Sequence, residues 1–511
     1  MAGLDKATPL LDGSTSHLIR KDREQPKKRR VRRRAVKIQI TLGALALGTA
    51  AVFVGQMNSD AIAARGGGEN TAPDVILGSL HNSYKYGASG GITGYAIGTT
   101  SCNQGNDYLT WDGGNNEHPV IAQNMYRIRT LDNGCTRAEH IGMSWLKHGF
   151  CALQQTLCGS CSNPGGGGCS DRLGWNCSDP YEATLNGQQG NLGPRSEVNA
   201  SIGVFLYPFC QGGSCDNPPA TIGRRLQVLT SDMDEDIWPT AEYFVEGMYV
   251  HPEDAAACKG YNNASYRPIN VSGSGTNGYN ISLSSTTRQM KAAIFAWEEY
   301  DPNVRVLTFQ LSNCAETGRN ETYHMAYSTC ENDDGTFHYE YALYNLDCDD
   351  SFSKFAVPAA GYTNPYSSFA PYHDSGEPYS NEAWANSFDP ALGTVVFNCT
   401  PFIEDQDANA IRWNTMHTFA FDTTDPPIQG VAYIETFKNG ELIEVPTVVP
   451  NADYVDPFCS GDVNRDYIVD GTDLALVLGF WGLADADCND DGTTDGADLS
   501  IVLGNWGCTG K

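Results

Sequence analysis

Along most of the chain, apolar and polar residues alternate in short runs, the period of a strand with one face turned inward and one outward. Phe337, Tyr339, Tyr341 and Leu343 alternate with His338, Glu340, Ala342 and Tyr344. Ile411, Trp413, Thr415, His417, Phe419 and Phe421 repeat the pattern. Val431, Tyr433, Glu435 and Phe437 resume it after the turn-forming run Asp422-Thr423-Thr424-Asp425-Pro426-Pro427. That order predicts an antiparallel pair across the turn. Further strands are predicted at Ile141 to Leu146, Tyr243 to Val250, Val304 to Leu311 and Thr394 to Phe397, and a helix at Thr287 to Tyr300. The expectation is a mainly β body over residues 74–450, a sandwich or barrel or two sandwiches, with long loops tied by disulfides. Val445 to Pro457 reads as a linker to a separate tail.

The N-terminus breaks this pattern. Residues 1–37 hold twelve Lys and Arg against four Asp and Glu and end in a run that includes KKRRVRRR, so a net charge of −28 leaves about −36 on the rest of the chain. A basic run alone suggests nucleic-acid binding or a nuclear address. Here an apolar segment over 38–64 comes directly after it, which makes the run a cytoplasmic flank with everything downstream exported. The segment is long enough to anchor in a membrane, yet Ala61-Ile62-Ala63 fits a signal-peptide cleavage site. Residues 65–73 read as an exit linker. The acidic body repels polyanions, which argues against nucleic acid as a partner and confines membrane contact to the N-terminal segment.

In an exported chain the 17 cysteines read first as disulfides. The alternative, a zinc site at Cys158-x-x-Cys161 with His148 and Cys151 nearby, suits a reducing compartment better. The odd total leaves at least one thiol unpaired within the chain or paired between chains.

The body offers scattered candidates for chemistry: His81, His118, His140, His148, Asp179, Glu197, Glu298, Glu299 and Asp301. A glycosidase needs two carboxylates facing across a cleft, and adjacent Glu298 and Glu299 on a helix point apart. Gly87-Ala88-Ser89-Gly90-Gly91 has the spacing of a nucleophile elbow. The next residues, Ile92-Thr93-Gly94-Tyr95, are too rich in glycine and β-formers to open a helix, so the motif reads as a plain loop. His417 reads as a core residue sharing a face with Trp413 and Phe419.

The tail carries the strongest motif. Two twelve-residue windows 25 residues apart, DVNRDYIVDGTD and DCNDDGTTDGAD, place oxygen-bearing side chains at loop positions 1, 3, 5, 9 and 12. These are Asp462, Asn464, Asp466, Asp470 and Asp473, then Asp487, Asn489, Asp491, Asp495 and Asp498. The carbonyls of Ile468 and Thr493 at position 7 would complete each shell. Calcium, a hard cation wanting six to eight oxygens, suits this spacing, and two Ca2+ sites are expected. Each loop runs into a matching apolar helix, LALVLGFWG and LSIVLGNWG, with Trp481 and Trp506 in register.

This duplication resembles type I dockerins over residues 459–508. The resemblance implies a small α calcium-binding domain over 459–511 that folds on metal and attaches to a cohesin-like or matrix protein. Position 6 is Tyr467 in the first loop and Gly492 in the second, which predicts a weaker first site. Gly471-Thr472 and Gly496-Ala497 depart from the small polar and basic residues that contact cohesins. Cys459 and Cys508 are placed to clasp the module, leaving Cys488 over. In the body, Gly98 to Asn103, Asn116 to Tyr126, Met143 to Phe150 and Gly193 to Asn199 resemble an uncharacterised family of secreted bacterial proteins with no assigned reaction. Two functions are expected on these grounds: a secreted or surface protein whose body displays or binds, with polysaccharide a candidate ligand, or a glycan hydrolase docked through its tail.

Overall fold

The structure, a computed structural model, describes residues 72–450 and 461–508 apart from short internal stretches. The basic segment, the apolar segment and residues 65–71 of the exit linker lie outside the described residues. Among the described residues no helix is long and apolar enough to cross a membrane.

The body is mainly β, as its alternation requires. Its first half is one curved sheet of eleven strands. It opens with the hairpin Val75–Ser89 and Ile92–Asn103, and continues through Leu226–Leu229, Thr136–Met143, Val120–Thr130, Glu242–Val250, Ala264–Ser272 and Asn280–Leu283. The far edge curls back to the first strand, where Ser83 Oγ donates to the Ile281 carbonyl and Lys85 Nζ to the Gly278 carbonyl. The result approaches a barrel around Leu77, Ile97, Trp111, Met125 and Val245.

The second half is a sandwich of two five-stranded sheets. One sheet runs Arg305–Ser312, Glu321–Glu331, Phe337–Asn345, Thr415–Thr423 and Tyr362–Phe369. The other runs Ala385–Asp389, Thr394–Asn398, Phe352–Pro358, Pro427–Thr436 and Leu442–Pro450. Tyr339, Tyr341, Phe355, Phe397, Phe419 and Phe421 fill the space between them.

Four expectations need correction. Thr415–Thr423 and Pro427–Thr436 do not pair with each other, because the Asp425-Pro426 turn carries the chain from one sheet of the sandwich to the other. The helix expected from Thr287 is helical only over Phe295–Tyr300, since Arg288 is held extended against Tyr266 and Met290 takes φ +57°. Half of the supposed linker is the strand Leu442–Pro450; the rest lies outside the described residues. The strand expected at Ile141 to Leu146 is interrupted, Thr136–Met143 and Leu146–His148 being separate strands. Gly90 and Gly91, at φ +62° and +82°, make the two-residue turn of the first hairpin, so the Gly-x-Ser-x-Gly spacing is a glycine turn as expected.

The outward face of Phe337–Asn345 meets the first half of the body rather than solvent. Ala342 and Tyr344 pack with Tyr126, Phe244, Trp297 and Met416 in a core shared by both halves. At its centre Glu246, fully buried, accepts hydrogen bonds at one oxygen from Asn124 (2.9 Å), Tyr126 (3.1 Å), Tyr344 (3.0 Å) and Asn414 (2.9 Å) and at the other from the Ala293 amide (2.6 Å). Arg195, also buried, donates to the side-chain oxygens of Asn124 and Asn414. A buried polar group is tolerated when its partners are complete, and these partners come from both halves, so the hub fixes how they meet. The disulfide Cys135–Cys330 fastens the same junction.

Candidate functional site

In the tail, the repeat's two helices are present as Gly471–Gly479 and Gly496–Gly504, each starting at position 10 of its loop, three residues earlier than the apolar runs predicted, and ending before the tryptophan. Asp470 and Asp495, at position 9, are their N-caps, accepting from the amides of Thr472 and Ala497. Asp473 and Asp498, at position 12, are fully buried. Asp473 accepts from the amides of Asn464 (3.0 Å) and Asp470 (2.9 Å), and Asp498 from those of Cys488 and Asp495, both at 2.7 Å. Each position-12 carboxylate thus gathers the two ends of its own loop. Backbone hydrogen bonds hold the Asp498 carboxyl below its usual range, so it stays an anion.

The two units interlock. The Val469 amide donates to the Cys508 carbonyl while the Gly507 amide donates to Val469, and Thr494 exchanges the same pair of bonds with Gly482 and Leu483. Their joint core is small: Val469, Val477, Ala486 and Val502, with Leu474 and Leu499 against it. Trp481 and Trp506 stand outside it, half exposed at 50% and 51%. Cys508 is disulfide-bonded and Cys488 is free. Asp466, Tyr467, Asp491, Gly492 and Cys459 lie outside the described residues. Asp462, Asn464, Ile468, Asp487, Asn489 and Thr493 lie in the loops, each with interactions of its own. The donor set is all oxygen, which suits calcium and not zinc.

Twelve of the fourteen cysteines of the body are oxidised, Cys135–Cys330 among them. Cys102–Cys158, Cys151–Cys169 and Cys161–Cys177 consume every thiol of the alternative zinc reading, and Cys210–Cys215 and Cys258–Cys314 tie further loops. Six such bonds are those of a protein that folds in an oxidising, extracellular environment. Cys348 and Cys399 remain as buried thiols.

The scattered candidates do not converge on one site. His118 and His148 do meet, at 2.9 Å, buried among Phe205, Tyr207 and Phe209. Since His118 Nδ1 contacts the Asp112 carbonyl, which can only accept, the His118 Nε2 lone pair must face a protonated His148 Nδ1. Burial, with His118 and Lys147 nearby, pushes His148 down to about 3, so the pair is neutral. His81 bonds Thr100, Glu197 accepts from the Cys210 amide, Glu299 pairs with Arg288, and Asp301 accepts from Thr136. His140 stacks on Tyr126, and His417 is a core residue as expected, packed on Trp384 and Phe419, whereas Trp413 precedes the strand and belongs to the core shared by both halves. Asp179 is buried and pushed up to about 8 by desolvation.

A cleft of about 540 Å³ opens where the two halves meet, lined by Arg129, Thr130, Trp238, Thr240, His338 and Asp422 among others. His338 lies between two carboxylates, 2.6 Å from Asp422 and 2.8 Å from Glu340. Burial opposes its charge, but the hydrogen bonds to Asp422 and Glu340 outweigh that and push it up to about 9. Arg137 donates to the same Glu340 oxygen, Nε to Oε1 at 2.8 Å, and also reaches Oε2 at 3.0 Å. Across the cleft, Arg127 and Arg129 share Glu139 and lie 3.7 and 4.8 Å from the centre of the Trp238 ring. The only sequence signal was the two-residue spacing of His338 and Glu340 on one strand face. Both ring nitrogens of His338 are occupied, so it holds charge in place rather than moving protons. The cleft presents an indole, hydroxyls and balanced charge.

No family model and no curated protein matches the chain. Among solved structures, an exo-chitosanase of Amycolatopsis orientalis in complex with a nitrophenyl glucosaminide aligns over 68% of this chain and 25% of that one, at 9% identity and a TM-score of 0.13. The chain spans about a quarter of that protein's length, and a likeness of this degree carries no argument about fold or activity.

Proposed function

We propose that the chain is a secreted or surface-displayed protein whose tail binds two calcium ions and attaches the β-rich body to a cohesin-like or matrix protein. The observation that carries this reading is the paired placement of Asp473 and Asp498: two buried carboxylates, each drawing both ends of an acidic loop together, in two interlocked copies. Calcium offsets the repulsion among the loop carboxylates and leaves the small Val477 and Val502 core to hold the helices together. Half-exposed Trp481 and Trp506, with Leu478 and Leu503, give the tail a paired apolar surface for a partner.

For the body we propose ligand binding rather than catalysis. In the cleft, Glu340 and Asp422 are committed to His338 and Arg137, which leaves an indole and hydrogen-bonding groups suited to a neutral polysaccharide. Incubating the full-length exported protein with a polysaccharide panel tests this. Calcium-independent retention on one polymer without release of sugar is the expected result; released oligosaccharide would instead make the protein a docked hydrolase.

A further inference from the structure

The chain enters the folded body at Asp74, one residue before the first strand, and meets the segment 252–263 there. The Val75 amide donates to Asp254 Oδ1 at 2.8 Å, and the Asp74 carboxylate is close enough to act electrostatically on that of Asp254. Asp74 is 8% exposed and Asp254 0%. Among the described residues neither is in an ion pair. Lys259 carries the nearby positive charge. Two like charges buried together are costly unless something positive lies between them.

A second, independent feature points to what that is. Asn262 and Asn263 face the same carboxylates, Asn262 Nδ2 lying 3.1 Å from Asp74 and Asn263 Nδ2 2.8 Å from Asp254. Both side chains are more than nine-tenths buried, at 7% and 2% exposure, and the Oδ1 atom of each has no hydrogen-bond partner. Orphaned buried carbonyl oxygens are uncommon and costly, and two adjacent ones beside two carboxylates are not explained by packing. Turning each amide half a revolution exchanges its nitrogen for its oxygen with no backbone movement, so that each then turns an oxygen toward the carboxylate it now faces with nitrogen.

We propose that Asp74, Asp254, Asn262 and Asn263 form a calcium site inside the body, separate from the tail loops. The chemistry selects the ion: two carboxylates and two amide oxygens are hard donors, no histidine or thiol takes part, and backbone carbonyls or water complete a flexible shell. Filling the site ties the entry point of the chain to the segment 252–263, which Cys258–Cys314 fastens to the start of the second half. The body therefore locks where calcium is abundant, outside the cell, with a dissociation constant on the order of 10⁻⁴ to 10⁻³ M, as for extracellular modules. This inference does not depend on the tail reading.

Calorimetric titration of the full chain with calcium alone tests it, the tail loops being disabled by Asp473→Ala and Asp498→Ala. One calcium per chain is expected to remain, with a melting temperature raised by calcium and not by equal magnesium. Adding Asp254→Asn should remove both effects. Asn262→Asp, which substitutes a carboxylate for an amide oxygen, should tighten calcium at least tenfold, and it decides the matter if Asp254→Asn does not fold. A tail-disabled chain that takes up no calcium and melts at the same temperature with or without it would overturn the site, as would unchanged affinity in Asn262→Asp.

Discussion

The charge on His338 makes a quantitative prediction. In the unfolded chain its imidazole titrates near 6.5, and in the cleft Asp422 and Glu340 raise it to about 9. The side chain is 12% exposed, so little solvent screening applies. A shift of that size, at about 1.4 kcal/mol for each tenfold change, corresponds to roughly 3 kcal/mol of folding stability. Because the folded value lies above the unfolded one, this stability is fully present below pH 6.5 and is lost as pH rises through 9. His338→Gln keeps the size of the side chain and removes the charge. Urea unfolding of both proteins should therefore show a gap of about 3 kcal/mol at pH 6 that closes to under about 1 kcal/mol at pH 9.5. The difference between proteins is the quantity to read, since Asp179, raised to about 8, and Lys147, lowered by burial to about 8, titrate across the same range in both. A gap that stays constant, or widens with pH, would refute the ion-paired imidazolium.

Three further outcomes are expected from the structure. Asp498→Ala should weaken calcium binding in titrations of the full chain more than Asp473→Ala, because the second loop has Gly492 at its sharp turn where the first has Tyr467; equal losses would contradict the ranking. Replacing Cys135 and Cys330 by serine, which opens a loop of sequence separation 195 across the junction of the two halves, should lower stability by about 2–5 kcal/mol in chemical denaturation. Trp297→Ala should cost about 3–5 kcal/mol by thermal unfolding, since the ring is fully buried and its Nε1 donates to Thr136 at 2.8 Å.

The sequence by itself settled what rests on short-range pattern and covalent chemistry. Period-two alternation located strands such as Phe337–Asn345 and Glu242–Val250, because side-chain direction in a strand depends only on the next residue. The apolar runs after the duplicated acidic windows located the two tail helices to within three residues, whereas the capping role of Asp470 and Asp495 came only from the structure. Export and the number of cysteines pointed to disulfides.

Only the tertiary structure decided which strands are neighbours and what their outer faces meet. The alternation at 337–345 implied that His338, Glu340 and Tyr344 face water. Instead a second sheet covers them, and the same polar residues become a buried junction and the wall of a cleft. Likewise nothing local joins Asp74 to Asp254, Asn262 and Asn263, about 180 positions further along the chain. Packing that closes a curved sheet on itself brings them together, and a periodicity read over ten residues holds no information about contacts made across hundreds.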